Sequence, residues 1–182
     1  MGSPEIVTSA SANLNAAIQT RLYVQSKIDI GSSNKFADNL GGLLSPVFCV
    51  SKTREEIVKD LKSQAPEIKR TGADPLKAIV DTWAAHARHM GCGNCGEQSA
   101  MAFVQLRDVW RVSPLDWMQV GDWKHGFAVI GRIAETTDGT KIETWNPEAV
   151  VCDPWRGFAR SAHDARYLVG EAIKVIYRLD SV

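Results

Sequence analysis

The chain has no excess charge of either sign: 21 lysines and arginines stand against 21 aspartates and glutamates in 182 residues. That balance gives no basis for general attraction to nucleic acid or to an acidic membrane surface. No run approaches the roughly 20 apolar residues that a membrane-spanning helix needs, and no basic-then-apolar signal peptide opens the chain. Repeats and low-complexity linkers are missing as well. Cysteines are few, and the spacing of Cys49, Cys92, Cys95 and Cys152 shows no pairing pattern. In a chain of this length that predicts free thiols, at least one of them functional, rather than a disulfide scaffold. Cys49 and Cys152 read most simply as core residues. What is present is an ordinary globular composition, 45% hydrophobic, enough to bury one core. A single domain over 1–182 is expected, with residues 1–5 an added or disordered start.

One stretch stands out, Gly91-Cys92-Gly93-Asn94-Cys95-Gly96-Glu97-Gln98. A glycine-rich loop delivers Cys95 to the start of a segment in which Met101, Phe103, Val104, Leu106, Val109 and Trp110 recur at helical spacing. A thiol at a helix N-terminus meets unpaired backbone N–H groups and the positive end of the helix dipole. Both favour the thiolate, which is the nucleophile. The glycines leave room for a substrate to approach. Glu97 reads as a first-turn carboxylate that complements the dipole.

The first half of the chain reads as helical. Ser11 to Ile28 forms an amphipathic pattern through Leu14, Ile18, Leu22 and Ile28. Gly31 to Ser45 reads as a loop with a short turn around Phe36 and Leu40. Thr53-Arg54-Glu55-Glu56 has the form of a capping box, placing a helix from about Arg54 to Ser63. Asp74-Pro75 gives an N-cap and a proline at the first helical position, for a helix to about Met90.

After Trp110 the texture changes to strands. Gly126 to Ile133 is a short apolar run, Thr137 to Thr140 signals a turn, and Lys141 to Trp145 alternates, which predicts a hairpin. Ala149 to Cys152 and Ala172 to Leu179 read as further strands. Helices followed by a small antiparallel sheet make an α+β domain. Trp83, Trp110 and Trp145 read as core, whereas Trp117, Trp123 and Trp155 are candidates to line a cleft.

His125 stands before the first of these strands and Asp153 directly after a later one, so the two can meet at one rim of the sheet. If the helix led by Cys95 packs there, a Cys–His–Asp constellation results. Imidazole takes the thiol proton, and the carboxylate fixes the ring's tautomer and direction. Backbone N–H groups at the helix start, that of Cys95 included, can hold an oxyanion, with Asn94 and Gln98 as further candidates. Asn146 is a second candidate for the orienting role.

Gly-Asn-Cys95-Gly-Glu-Gln, then His125-Gly-Phe-Ala-Val-Ile-Gly, then Cys-Asp153-Pro-Trp, resembles the papain-like and transglutaminase-like cysteine hydrolases, above all the compact branch among bacterial effectors and toxins. The matching segments span about Gly91 to Gly157. The resemblance implies N-terminal helices packed on an antiparallel sheet, and a Cys95, His125, Asp153 triad that needs no cofactor or metal. It implies deamidation of glutamine or asparagine side chains in a protein substrate of a host or target cell, with proteolysis or transamidation as alternatives. A specialised secretion system for delivery, and a cognate immunity protein or chaperone as partner, are implied in the same way. The papain group proper carries a glutamine six residues before its cysteine, where this chain has His89.

Two readings from other classes compete. His86, His89, Cys92 and Cys95 recur at intervals of three and offer potential zinc ligands, although structural zinc usually draws its pairs from separated segments. Cys92-Gly93-Asn94-Cys95 also has the spacing of a thioredoxin-like redox site, but it follows a helix pattern rather than a strand. A binding domain that kept the fold without turnover is a further alternative.

Overall fold

The computed structural model describes residues 9–33, 45–122 and 124–181. Among these are four α-helices, α1 (Ala10–Lys27), α2 (Ser45–Thr71), α3 (Pro75–Met90) and α4 (Cys95–Gln105). They are followed by five strands, β1 (Leu115–Val120), β2 (His125–Ile130), β3 (Val150–Asp153), β4 (Phe158–Ser161) and β5 (Ile173–Leu179). The strands form one antiparallel sheet in the order β4-β3-β2-β1-β5. The domain is therefore α+β, as its sequence texture predicts. No helix of the described residues is long and apolar enough to cross a membrane.

The central strands β1, β2 and β3 are buried along their whole length, so the sheet is covered on both faces. Alternation along each strand divides the core. Leu115, Trp117, Ala128, Ile130, Val150 and Cys152 meet the helices, together with Phe103 and Leu106. Met118, Val120, Phe127, Val129 and Val151 meet Ile142, Trp145 and Leu168 on the other side. Asp116, fully buried in β1, is held by Arg132 at 2.8 Å and Arg178 at 3.1 Å, which satisfies a charge that would otherwise be costly.

Several local expectations are corrected. In α1 the buried positions are Asn13, Ala16, Ala17, Thr20 and Val24, while Leu22 is exposed. Small side chains let this helix lie close on β3 and β4, so the packing face is not the most apolar one. Thr53 does not begin a helix. α2 already runs from Ser45, and the Thr53 hydroxyl donates to the Cys49 carbonyl at 2.8 Å, four residues back. The segment Lys141 to Trp145 is not a strand. Asp138 accepts from Thr140 N–H (2.9 Å) and its carbonyl from Trp145 Nε1 (2.9 Å), curling the segment into a 3-10 turn over Ile142–Thr144. β2 pairs with β1 and β3 instead, and β1 and β4 escape the sequence pattern. Past Gln105 the chain widens into a π-helical turn over Leu106–Trp110, which swings Val109 and Trp110 toward solvent rather than the core. The turn expected around Phe36 and Leu40 lies outside the described residues.

Candidate active site

α3 begins as the sequence predicts: Asp74 Oδ1 accepts from the Leu76 N–H at 2.8 Å, with proline at the first position. It ends at Gly91, whose φ of 69° is the left-handed conformation glycine adopts without penalty, with its N–H on the Ala87 carbonyl. The loop that follows is held from several sides. Ile30 N–H bonds the Gly91 carbonyl at 2.9 Å, and Gly93 N–H bonds the Gly31 carbonyl at 3.2 Å. Cys92 is fully buried and forms a disulfide with Cys49 of α2, with Cα atoms 6.2 Å apart. That overturns the expectation of four free thiols. A bridge between residues 43 apart is set by how α2 packs against the loop, which local spacing does not report. Cys95 and Cys152 remain free.

The disulfide also bears on the competing readings. Cys92 is engaged with Cys49 rather than with Cys95, so the Cys-x-x-Cys pair does not close on itself. His86 sits 2.7 Å from Asp60, and His89 is exposed at the end of α3. The series at intervals of three thus diverges, and among the described residues no cluster of His, Cys, Asp and Glu is placed to hold a metal ion.

Asn94 caps α4 and Cys95 opens it. The Glu97 carboxylate, fully buried, accepts from the Asn94 N–H at 2.9 Å and from Arg54 Nε at 2.6 Å. A dipole-complementing carboxylate in the first turn was expected. The arginine from α2 makes it a clamp as well. Asn94 Oδ1 accepts from the Ser32 hydroxyl at 2.8 Å, and Gln98 Nε2 donates to the Gly93 carbonyl at 2.8 Å. Both side chains, proposed from sequence as oxyanion or substrate contacts, hold the loop through these bonds. The nearby glycines permit close packing: a Cβ on Gly93 would lie 2.7 Å from Glu97 Cβ, and one on Gly96 2.7 Å from the Trp83 ring. The backbone N–H of Cys95 lies in the first turn of α4, where no carbonyl of the same helix can accept from it, and His89 is exposed at the end of α3.

His125 opens β2 and Asp153 closes β3. The β2–β3 register pairs Ala128 with Cys152, so His125 and Asp153 share a face as diagonal neighbours. His125 Nε2 lies 2.6 Å from Asp153 Oδ2. Asn146, the alternative orienter, instead accepts from Ile133 N–H and donates to the Gly131 carbonyl and to Glu148. Burial of the ring opposes protonation of His125. The Asp153 hydrogen bond and the contact and charge of Cys95 outweigh it, raising its pKa to about 9. With Nε2 on Asp153, Nδ1 is the nitrogen left for the sulfur, so the three residues named from sequence are brought together.

α4 can approach β2 this closely because residue 126 is glycine: a Cβ there would lie 2.7 Å from Ser99 Oγ and 3.3 Å from the Cys95 carbonyl. Cys95 is recessed, 8% exposed, and its Sγ lies 4.0 Å from the Lys124 carbonyl. Trp155 is half-buried with its ring 5.5 Å from that of His125 and Nε1 on the Ser32 hydroxyl. Trp117 is not a cleft residue. It is fully buried, its Nε1 donating to Ser99 Oγ at 2.8 Å. Trp123 lies outside the described residues. Sequence reasoning missed Tyr167, whose hydroxyl donates to Asp153 Oδ2 at 2.7 Å.

A groove of about 780 Å³ lies along α2, with Val47, Val50 and Val58 in its wall and Arg54, Lys59 and Lys62 around it. Arg54 and Ser33 connect it to the loop through Glu97 and Asn94. No protein-family model, curated protein or solved structure matches this chain.

Proposed function

We propose that this chain is a papain-like cysteine amidohydrolase acting on a carboxamide of a protein substrate. Cys95 is its nucleophile, His125 its base and acid, and Asp153 the group that orients His125. The observation that carries the reading is the contact of His125 with both Cys95 and Asp153, which raises the imidazole pKa to about 9. A histidine charged at neutral pH beside a thiol at a helix N-terminus is the arrangement that yields a thiolate–imidazolium pair.

In the first half-reaction the sulfur forms a bond to the carbonyl carbon, and the electron pair of the C=O bond moves to oxygen. The Cys95 N–H at the start of α4 is placed to stabilise that oxyanion. On collapse the C–N bond breaks, and the imidazolium proton of His125 goes to the departing nitrogen, leaving a thioester. Water then attacks the thioester as neutral His125 takes its proton. The C–S bond breaks, the acid is released, and the thiolate–imidazolium pair is restored.

Deamidation of a glutamine or asparagine side chain is the reading we favour over backbone cleavage. Cys95 is recessed at 8% exposure, and a single protruding carboxamide reaches it more readily than an extended backbone. The test uses a library of glutamine- and asparagine-containing peptides and folded proteins, incubated with wild type and Cys95→Ala. Ammonia release without new chain ends, dependent on Cys95, supports deamidation. New chain ends dependent on Cys95 would make the protein a protease. Neither product, with no substrate hydroxamate formed when hydroxylamine is supplied to intercept the thioester, would contradict the hydrolase reading.

A further inference from the structure

Asp153 is fully buried, and its carboxylate takes three hydrogen-bond donors. Oδ1 accepts from the Arg156 N–H at 3.1 Å, while Oδ2 accepts from both His125 Nε2 at 2.6 Å and the Tyr167 hydroxyl at 2.7 Å. Tyr167 comes from a 3-10 turn, Arg166–Leu168, beyond β4. Its ring packs 5.7 Å from Phe158, and the Arg156 guanidinium lies 4.6 Å from its centroid.

We propose that Tyr167 is a positioning residue of the site, its hydroxyl holding the Asp153 oxygen that orients His125. The inference rests on the cysteine-hydrolase reading above and adds a residue to it. Two consequences follow from a shared oxygen. The second donor stops the carboxylate from rotating away from Nε2. It also draws on the same lone-pair density, so the carboxylate grips the imidazolium proton less tightly and His125 can surrender that proton to a leaving nitrogen. Burial and the Asp153 charge push ionisation of the Tyr167 hydroxyl above the ordinary tyrosine range, so it remains a donor at working pH. The titratable and charged groups facing His125 are Cys95 at the start of α4, Asp153 at the end of β3, and Arg156 and Tyr167 beyond it.

The test is an NMR titration of the His125 ring, assigned through His125→Gln, in wild type and Tyr167→Phe. Phenylalanine keeps the packing and removes only the hydroxyl. With the second donor gone, the His125 midpoint should leave its wild-type value near 9 by up to about one pH unit, upward while the carboxylate stays on Nε2 and downward where it turns away. A purely packing role leaves the midpoint in place, so an unchanged midpoint overturns the proposal. Titration of the tyrosine rings in wild type needs no variant. Ionisation of Tyr167 in the ordinary range of free tyrosine would also overturn it. Failure of the underlying reading looks different: His125 would then titrate in wild type as a free imidazole, near 6.5.

Discussion

Asp153→Asn keeps the shape of the orienting group and removes its charge, which isolates what that charge does. In wild type the carboxylate and the sulfur overcome the burial of the ring and place the His125 pKa at about 9. Without the carboxylate only the sulfur opposes burial, and the His125 pKa should fall from about 9 toward its ordinary 6.5. A loss of about two pH units is about 3 kcal/mol of imidazolium stability. At pH 7.5 the ring, almost wholly protonated in wild type, would be mostly neutral in the variant. An NMR titration of His125 reads this directly. The sign for stability follows from the raised pKa: the contribution is complete below 6.5 and is lost as pH rises through about 9. The melting-temperature difference between wild type and Asp153→Asn should therefore be largest below pH 6.5 and shrink toward pH 9.5. An unchanged His125 midpoint, or a difference independent of pH, would refute the argument that Asp153 charges the imidazole.

Two further outcomes probe how Cys95 is placed. Cys49→Ser with Cys92→Ser opens a bridge between residues 43 apart, and loop-closure entropy puts its contribution at about 4 kcal/mol at most. Urea unfolding should show a loss of that order or less, and no loss would mean that the bridge does not constrain the unfolded chain. In Gly126→Ala the new methyl would sit 2.7 Å from Ser99 Oγ and 3.3 Å from the backbone carbonyl of Cys95. α4 must then move off β2, so the Cys95 alkylation rate at neutral pH should fall although no catalytic group has changed. An unaltered rate would show that the close approach of α4 to β2 does not set the site.

What the sequence reveals and what it hides divide along the range of the interaction. Cys95, His125 and Asp153 are legible because each stands at the end of an element whose local pattern is clear: a glycine loop before a helix, and the two ends of apolar strands. The Asp74 cap and the Gly91 stop are local for the same reason. The Cys49–Cys92 bridge depends on how α2 crosses the loop, and no local spacing encodes that. Tyr167 reaches Asp153 from a turn with no periodicity of its own. β1 is hidden because Asp116 and Gln119 break its apolar run, Asp116 being made tolerable inside by Arg132 and Arg178. In α1 the contact with the sheet selects small residues over large ones, so counting hydrophobic positions points to the wrong face.

The central claim is that Cys95 is a nucleophile activated by His125, and its most direct test is iodoacetamide labelling across pH, read by peptide mass spectrometry. Wild type and His125→Ala would be compared with the disulfide intact. Cys49 and Cys92 are bonded, and burial pushes the Cys152 thiol far up, so neither site competes for the reagent. The account predicts that wild type takes label at Cys95 alone, rapidly at and below neutral pH, and that His125→Ala slows that reaction at least about tenfold. Equal labelling rates in the two proteins, or a wild-type rate that rises only in the range of a free thiol, near 8.5, would contradict it.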